Sequence, residues 1–158
     1  MEFRRLKGAV LEKILQINVD FRSGFADRGA ARRFLETEHC WLYAALREDA
    51  VIGFAYGYVL SRLDGKADML YIHEVGVAEP EQRRGVGSAM LTALLRDAGR
   101  SGIGRVFLFA DRHNAAANAL YRKLGGAVGW DSGGDDTVYF FTPDDAATRF
   151  ERKKTGII

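Results

Sequence analysis

The chain has 158 residues, 23 Lys and Arg against 21 Asp and Glu, and a hydrophobic content of 47%. This length and composition predict one globular domain over residues 1–158 and exclude collagen-like, disordered and disulfide-framework proteins. The near balance of charges, together with the lack of a basic stripe, argues against a nucleic-acid-binding surface.

The first half of the chain predicts a strand, two helices and a β-hairpin. Apolar residues recur at helical spacing in the two helical stretches, and Asp27 stands at the N-cap position of the second. Two β-rich runs surround a short polar break, which predicts the hairpin. In order, these are a strand at 2–6, helices at 9–20 and 27–38, and hairpin strands at 41–46 and 51–60.

The second half alternates strands with helices. Glycines follow both predicted helices, as expected at helix ends. The elements are a strand at 69–77, a loop at 78–84, a helix from 86 to about 99, a strand at 105–110, a helix at 115–124, and closing strands at 127–131 and 137–142. This order predicts an α/β (α+β) sandwich built on a mixed sheet.

The segment Gln82-Arg83-Arg84-Gly85-Val86-Gly87 lies between a predicted strand and a predicted helix. Glycines at a helix start leave backbone N–H groups open to an anion, and the two arginines add charge, so the segment predicts a phosphate site. The alternative is that the glycines only bend the chain. The sequence has no P-loop motif, and Met90 stands where a dinucleotide fingerprint needs its third glycine.

The loop after an apolar strand resembles motif A of the GCN5-related N-acetyltransferase (GNAT) superfamily. Residues 114–125, Asn-Ala-Ala-Ala-Asn-Ala-Leu-Tyr-Arg-Lys-Leu-Gly, resemble a second motif of that family, except that Gly126 stands where the family usually has Phe. The resemblance covers about residues 41–142, and we expect the polar tail at 143–158 to be partly frayed. Within the superfamily, segments 50–53, 58–60, 71–77, 82–85, 110–111 and 119–125 are most similar to class I aminoglycoside 3-N-acetyltransferases.

The resemblance implies a single-domain GNAT fold and acetyl-CoA as co-substrate. The fold has a mostly antiparallel sheet of six to seven strands and about four helices, and strands 69–77 and 105–110 splay apart to admit the pantetheine arm. The implied cofactor-binding residues are Val75, Gly76 and Val77 for pantetheine, Gln82, Arg83, Arg84, Gly85, Val86, Gly87 and Ser88 for the pyrophosphate, and Asn114, Ala117 and Tyr121. Asn114 has a second interpretation as a helix cap.

Three side chains and one backbone amide are implied to act in acyl transfer to an amine. Tyr121 occupies the position of the thiolate-protonating tyrosine, and the amide of Val75 that of the oxyanion donor. Glu74 ranks first as the base and Asp111 first for substrate contact. The structural alternatives are a core position for Tyr121, an ion pair with an arginine for Glu74, and an acid at a helix N-terminus for Asp111.

The resemblance implies a polycationic small molecule as acceptor, most simply an aminoglycoside, and carboxylates that could bind such a cation gather late in the chain. Residues 131–145 hold five acids and no Lys or Arg, with Asp64 and Asp68 in an earlier loop. The predicted substrate-binding residues are Glu74, Asp111, Asp135, Asp136 and Tyr56. Turn-forming Asp residues and a core Tyr56 are the alternatives. Another amine as acceptor and a non-catalytic acyl-CoA sensor both stay open.

The remaining reactive residues predict no further chemistry. The three histidines have no metal-binding spacing, and one cysteine cannot complete a zinc site, so we expect no metal. Cys40 is interpreted as a small buried residue, which predicts direct transfer in a ternary complex. An unpaired cysteine favours the cytoplasm. The apolar runs are short, so we expect no membrane span. The first five residues contain no apolar stretch, so we expect no signal peptide. The family resemblance makes a homodimer possible.

Overall fold

A computed structural model describes residues 1–8, 11–13, 16–17, 27–130 and 134–143. In this part of the chain, seven strands form one sheet in the order β1-β2-β3-β4-β5-β7-β6. The strands are β1 (Glu2–Leu6), β2 (Cys40–Arg47), β3 (Ala50–Leu60), β4 (Met69–Val77), β5 (Arg105–Asp111), β6 (Ala127–Trp130) and β7 (Asp136–Phe141). The helices are α1 (Arg28–Glu36), α2 (Val86–Arg100) and α3 (Ala115–Lys123), with a 3-10 turn at Glu79–Glu81.

The predicted α/β fold with a mixed sheet is confirmed, and most predicted boundaries hold within two residues. Residues 11–13 and 16–17 are helical, and the rest of the helix predicted at 9–20 lies outside the described residues. The last two strands were misplaced by one residue, because β7 begins at Asp136 and ends at Phe141. Asp131, predicted to end the preceding strand, is not among the described residues.

The described chain divides into two compact units, the first formed by residues 1–58 and 74–94. Its strands β1, β2 and β3 pair antiparallel. The turn between β2 and β3 has positive φ at both Glu48 and Asp49, as two-residue hairpin turns of type I′ require. Six residues of β2, Trp41–Leu46, are buried, and their apolar side chains make this strand the centre of the unit's core.

Helix α1 shows how the sequence sets an element's start. The Asp27 carboxylate accepts a 2.7 Å hydrogen bond from the amide of Ala30, which confirms its predicted N-cap role. The helix ends at Glu36, two residues before the predicted end, where the amide of Thr37 closes on the carbonyls of Arg33 and Phe34.

The second unit comprises residues 59–73 and 95–158, as far as they are described. Strand β4 pairs parallel with β5 from Met69–Arg105 to Ile72–Leu108, and both strands continue beyond the last pair. The expected separation of these two strands toward their C-terminal ends stays a prediction. Strand β5 then pairs antiparallel with β7, and β7 with β6.

Candidate functional site

The connection from β4 to α2 forms a tight, internally bonded loop in the first unit. The 3-10 turn closes through hydrogen bonds from the amide of Glu81 to the carbonyl of Ala78 (2.8 Å) and from Gln82 to Glu79 (3.2 Å). The Gln82 side-chain amide donates to the carbonyl of Val77 at 3.1 Å. Gln82, predicted to bind the cofactor, therefore also holds the loop against the strand that precedes it.

Helix α2 begins without a side-chain cap. The amide of Ala89 bonds to the carbonyl of Gly85 at 2.9 Å, so Gly85 is the residue just before the helix and has no side chain to cover the first amides. The amides of Val86, Gly87 and Ser88 are the ones that helix geometry leaves without an intrahelical partner. Gly85 has a φ of 82°, and a Cβ built on it meets nothing within 4 Å.

The arginines of this loop are exposed, and Arg83 takes a left-handed φ of 60°. A non-glycine residue in this conformation is uncommon, and it aids the turn into α2. Open amides at a helix start, an uncovered glycine and two exposed guanidinium groups fit the pyrophosphate of acetyl-CoA. The residues present are thus compatible with the cofactor that the sequence predicts.

The end of β4 is held closely against β3. A Cβ added to Gly76 would lie 2.5 Å from Cε1 of Phe54, so only glycine fits while that ring stays in place. The amide of Ala78 donates to the carbonyl of Ile52 at 3.0 Å. Val75 and Val77 are half-buried, as is Glu74, which alternation places on the side of β4 opposite Val75.

Tyr121 lies in the second unit on the buried face of α3. Its ring centroid is 5.5 Å from that of Tyr139 and 6.5 Å from that of Phe141. Its hydroxyl makes no hydrogen bond with any described residue. Burial, with a smaller contribution from Tyr139, raises the pKa of Tyr121 above its ordinary value. The phenol therefore stays protonated at neutral pH, as a proton donor must.

Asn118 is a functional candidate that the sequence analysis missed. It is buried, and its side-chain nitrogen donates to the carbonyls of Asp111 (2.8 Å) and Asn114 (2.7 Å). Its side-chain oxygen accepts a 2.8 Å hydrogen bond from the Tyr139 hydroxyl. Asn118 thereby ties the end of β5 to the start of α3, which carries Tyr121. The second asparagine of the 114–125 motif was the available signal.

Asn114 has the helix-capping role that was its structural alternative, and Asp111 makes a contact in the loop before that helix. The Asn114 side chain caps α3 by accepting from the amide of Ala117 at 3.0 Å. The Asp111 carboxylate accepts from the amide of His113 at 2.8 Å. Both side chains remain exposed, so these contacts leave their predicted roles toward cofactor and substrate untested.

The described acids of the predicted acceptor cluster meet at the end of two strands. Asp111 of β5 stands directly opposite Asp136 of β7, and both are exposed. The carbonyl of Asp135 accepts from the amide of Arg112 at 2.7 Å. In the part of the chain described, neither Asp111 nor Asp136 has an ion-pair partner. Three other predicted members of the cluster, Asp131, Asp144 and Asp145, lie outside the described residues.

The two acids of the earlier loop have local roles. Arg62 pairs with the Asp64 carboxylate through two nitrogens, and this hydrogen bonding lowers the pKa of Asp64 to about 2. The carbonyl of Asp68 accepts from the amide of Gly104 at 2.9 Å. The Asp64 carboxylate is therefore already neutralised by a neighbour, which weakens its expected link to a cationic acceptor.

Tyr56 belongs to an aromatic group of the first unit. Its ring lies 5.6 Å edge-on to Phe34, 6.4 Å from Phe54 and 6.4 Å from Tyr58. It packs against the buried cluster that includes Leu42. The core interpretation therefore describes its ring, and its predicted substrate contact stays a prediction.

Cys40 and the histidines fit no metal or nucleophilic site. Burial raises the pKa of the Cys40 thiol despite opposing contributions from Thr37 and Arg5, which disfavours the reactive thiolate. Within the described ranges, no group of three or more His, Cys, Asp or Glu is placed to hold a metal ion. No described helix is both long and apolar enough to cross a membrane.

The predicted site residues fall into two groups. The first unit brings together Glu74, the end of β4, the loop at 82–88 and Tyr56. The second holds Asp111, Asn114, Ala117, Tyr121, Asp135 and Asp136.

Residues 11–126 match the sequence model of the acetyltransferase (GNAT) family. A mycothiol acetyltransferase of Renibacterium salmoninarum is 30% identical over 101 residues, which make up 64% of this chain and 29% of that protein. One of Paenarthrobacter aurescens is 34% identical over 99 residues, 63% of this chain and 29% of that protein. The chain thus spans less than a third of the length of these curated relatives.

Solved structures give the same fold. An aminoglycoside acetyltransferase from an uncultured soil metagenomic sample, in complex with trehalose, superposes with a TM-score of 0.72 at 25% identity, covering 77% of this chain and 85% of that one. A structure of the same protein with sisomicin gives a TM-score of 0.69. Arabidopsis thaliana NAA60 with a bisubstrate analogue gives 0.68 at 21% identity, covering 89% and 97% of the two chains.

Proposed function

The chain belongs to the acetyltransferase (GNAT) family, and we propose that it transfers the acetyl group of acetyl-CoA to a primary amine of a polycationic small molecule. The proposed acceptor is the 3-amino group of a gentamicin-type aminoglycoside. One observation carries the cationic acceptor: Asp111 and Asp136 face each other across β5 and β7 without a cationic partner among the described residues. Adjacent carboxylates repel one another, so a bound ammonium group would relieve an unfavourable pair.

The proposed donor site uses the loop at 82–88 and the end of β4. The amides of Val86, Gly87 and Ser88, with Arg83 and Arg84, hold the pyrophosphate. The backbone of Val75–Val77 pairs with the pantetheine arm as an added strand would. Gln82 already donates to the carbonyl of Val77, so that carbonyl is partly occupied.

Three groups of this chain carry the proposed chemistry. Glu74 accepts the proton that the acceptor ammonium must lose, directly or through water. The amide of Val75 donates to the thioester oxygen as the acceptor nitrogen bonds to the acetyl carbon. The carbon–sulfur bond then breaks, and Tyr121 gives its proton to the departing thiolate. The nitrogen, now bonded to the acetyl carbon, releases its second proton, which restores the Tyr121 phenol through water. Transfer is direct, because the raised pKa of Cys40 disfavours an acetyl-cysteine.

The sequence relatives support a second candidate acceptor. The curated relatives at 30% and 34% identity are named mycothiol acetyltransferases, while the aminoglycoside acetyltransferase is 25% identical. An assay must therefore distinguish the aminoglycoside from three other acceptors: the amine substrate of such relatives, a polyamine and a peptide N-terminus. It must also distinguish catalysis from cofactor binding without turnover. We also propose that the chain acts in the cytoplasm and forms a homodimer.

One assay discriminates among these functions. Release of CoA thiol from acetyl-CoA is measured against gentamicin-type aminoglycosides, spermidine, the amine precursor of mycothiol and a peptide. Turnover with gentamicin-type compounds supports the first proposal. Turnover confined to another amine, or acetyl-CoA binding without any thiol release, would overturn it.

Two variants test the assigned roles within that assay. Tyr121→Phe is expected to lower kcat by about 10²-fold or more, since general acid catalysis contributes that much. Asp135→Asn with Asp136→Asn is expected to raise KM for the polycation and leave KM for acetyl-CoA in place. An equal rise in both constants would indicate damage to the fold instead.

A further inference from the structure

The second unit carries a strip of aromatic and charged side chains, some exposed and some half-buried, on one side of its sheet. Along β5, Val106, Leu108 and Ala110 are buried, and the alternate residues point to the other side. That side presents, in order along the strand, Arg105, Phe107, Phe109 and Asp111. We call it the aromatic stripe, and define it by these four residues with Tyr71 of β4 and Asp136 and Phe140 of β7.

The centre of the stripe is a connected set of rings. Phe107 stacks on Tyr71 at 5.3 Å between centroids, and contacts Phe109 at 6.3 Å and Phe140 at 6.0 Å. Phe109 is 52% exposed, although it is one of the largest apolar side chains of the molecule. The other three rings are half-buried and adjoin Phe109, and apolar surface grouped in this way marks an interaction surface more often than scattered single residues do.

The two ends of the stripe carry opposite charges. At one end, the Arg105 guanidinium lies 5.3 Å from the ring centroid of Phe140 and remains exposed. At the other end, Asp111 and Asp136 stand opposite each other. Six residues of extended chain separate the ends, a distance of about 20 Å at roughly 3.3 Å per residue.

We propose that the aromatic stripe is the interface of a two-fold symmetric homodimer, in which two copies pack face to face with their β5 strands antiparallel. A two-fold axis at Leu108, perpendicular to the strands, places position 105 of one copy against 111 of the other, and 107 against 109. Arginine then meets carboxylates at both ends and phenylalanine meets phenylalanine in the centre. The stripe is therefore complementary to itself.

The charges also select between the two possible axes. A two-fold axis parallel to the strands would place Arg105 against Arg105 and the acid pairs against each other. Juxtaposed like charges across an interface cost several kcal/mol. A second copy is for this reason a better occupant than an apolar partner, which would leave both charged ends unpaired.

This proposal gives Asp111 and Asp136 a second possible cation beside the acceptor ammonium of the proposed function. The partner's Arg105 and a polycation would compete for the same carboxylates. Linkage then requires that a polycation bound there weakens the dimer by the same factor as the dimer weakens polycation binding. The dimer itself is tested without acetyl-CoA or acceptor, so its failure is distinct from a failure of the proposed function.

Sedimentation of charge-reversed full-length chains tests the arrangement. The wild-type chain is expected to dimerise, and Arg105→Glu or Asp111→Arg with Asp136→Arg is each expected to weaken self-association by about tenfold or more. Mixing these two variants is expected to restore a dimer, because every charged contact is then complementary. One chain carrying all three changes is expected to dimerise by itself.

Two further variants serve as comparisons. Arg32→Glu makes the same charge reversal at an exposed position of α1 outside the stripe, and is expected to leave the dimer intact. Phe109→Ser is expected to yield a folded monomer, because that ring is half exposed already. A monomeric wild-type chain, a dimer insensitive to Arg105→Glu, or a mixture that fails to associate would each overturn the proposal. Circular dichroism of every variant checks that the fold persists.

Discussion

At the scale of single residues, Tyr121 and the nearby Gly126 both pack against the ring of Phe141. Tyr121 combines a nearly buried ring with a hydroxyl that bonds to no described residue. Gly126, which departs from the usual family pattern, is explained by packing: an added Cβ would lie 2.8 Å from the Phe141 ring and 2.9 Å from the carbonyl of Tyr121. Phe141 thus fills the space that a side chain at position 126 would need.

The raised pKa of Tyr121 predicts a specific alkaline behaviour. Burial favours the neutral phenol, so the folded state holds this proton to a higher pH than the unfolded state does. Tyr121 therefore contributes stability below the ordinary tyrosine pKa of about 10, and that contribution is lost as pH rises through the folded value. Absorbance titration of tyrosinate is expected to show a late step in the wild type that Tyr121→Phe lacks. The prediction is contradicted if the wild-type and Tyr121→Phe titration curves have the same shape at high pH.

At the scale of elements, local signals predicted most of the fold, and long-range pairing limited the rest. Asp27 marked the start of α1 because a cap acts within three residues. The meeting of Asp111 with Asp136 depends instead on β7 lying between β5 and β6, a strand order that chain order alone does not give. Asn118 was missed for the same reason, since its partner Tyr139 is 21 residues away.

Asn118 connects β5, α3 and β7, so its removal is expected to lower the free energy of unfolding by a measurable amount. Asn118→Ala leaves the fully buried Tyr139 hydroxyl without its acceptor, which is expected to cost about 1–3 kcal/mol. Urea unfolding measures the change. The double variant with Tyr139→Phe is the control, because it removes the stranded hydroxyl and is expected to cost less than the sum of the single changes. A loss below about 0.5 kcal/mol for Asn118→Ala would show that the bond is not needed.

At the scale of the whole molecule, the net charge of +2 conceals a separation of charge along the chain. Arg83 and Arg84 are exposed in the loop before α2, whereas Asp111 at the end of β5 lies opposite Asp136 at the start of β7. Strands β3 and β4 and helix α2 each have residues in both compact units. We therefore propose that residues 1–158 form a single domain.

A single domain predicts one cooperative unfolding transition. Neither unit keeps β3, β4 and α2 whole by itself, so each would lose backbone hydrogen bonds if the other unfolded first. The Trp130→Phe variant leaves Trp41, buried in the first unit, as the only tryptophan. Its fluorescence and the far-ultraviolet circular dichroism of the whole chain are expected to change at the same urea concentration. Two separate midpoints would mean that the units fold separately.

The outermost strands of the sheet have a consequence for how far self-association can proceed. Strand β6 has only four residues and β1 only five, and the pairing of β6 is interrupted by a register shift between Val128 and Trp130. Short and irregular edges are poor templates for adding further strands. In the proposed dimer, each copy covers the aromatic stripe of the other, so that face cannot bind a third copy. Growth into fibres is therefore disfavoured at both edges, and we expect the proposed dimer to be the largest assembly.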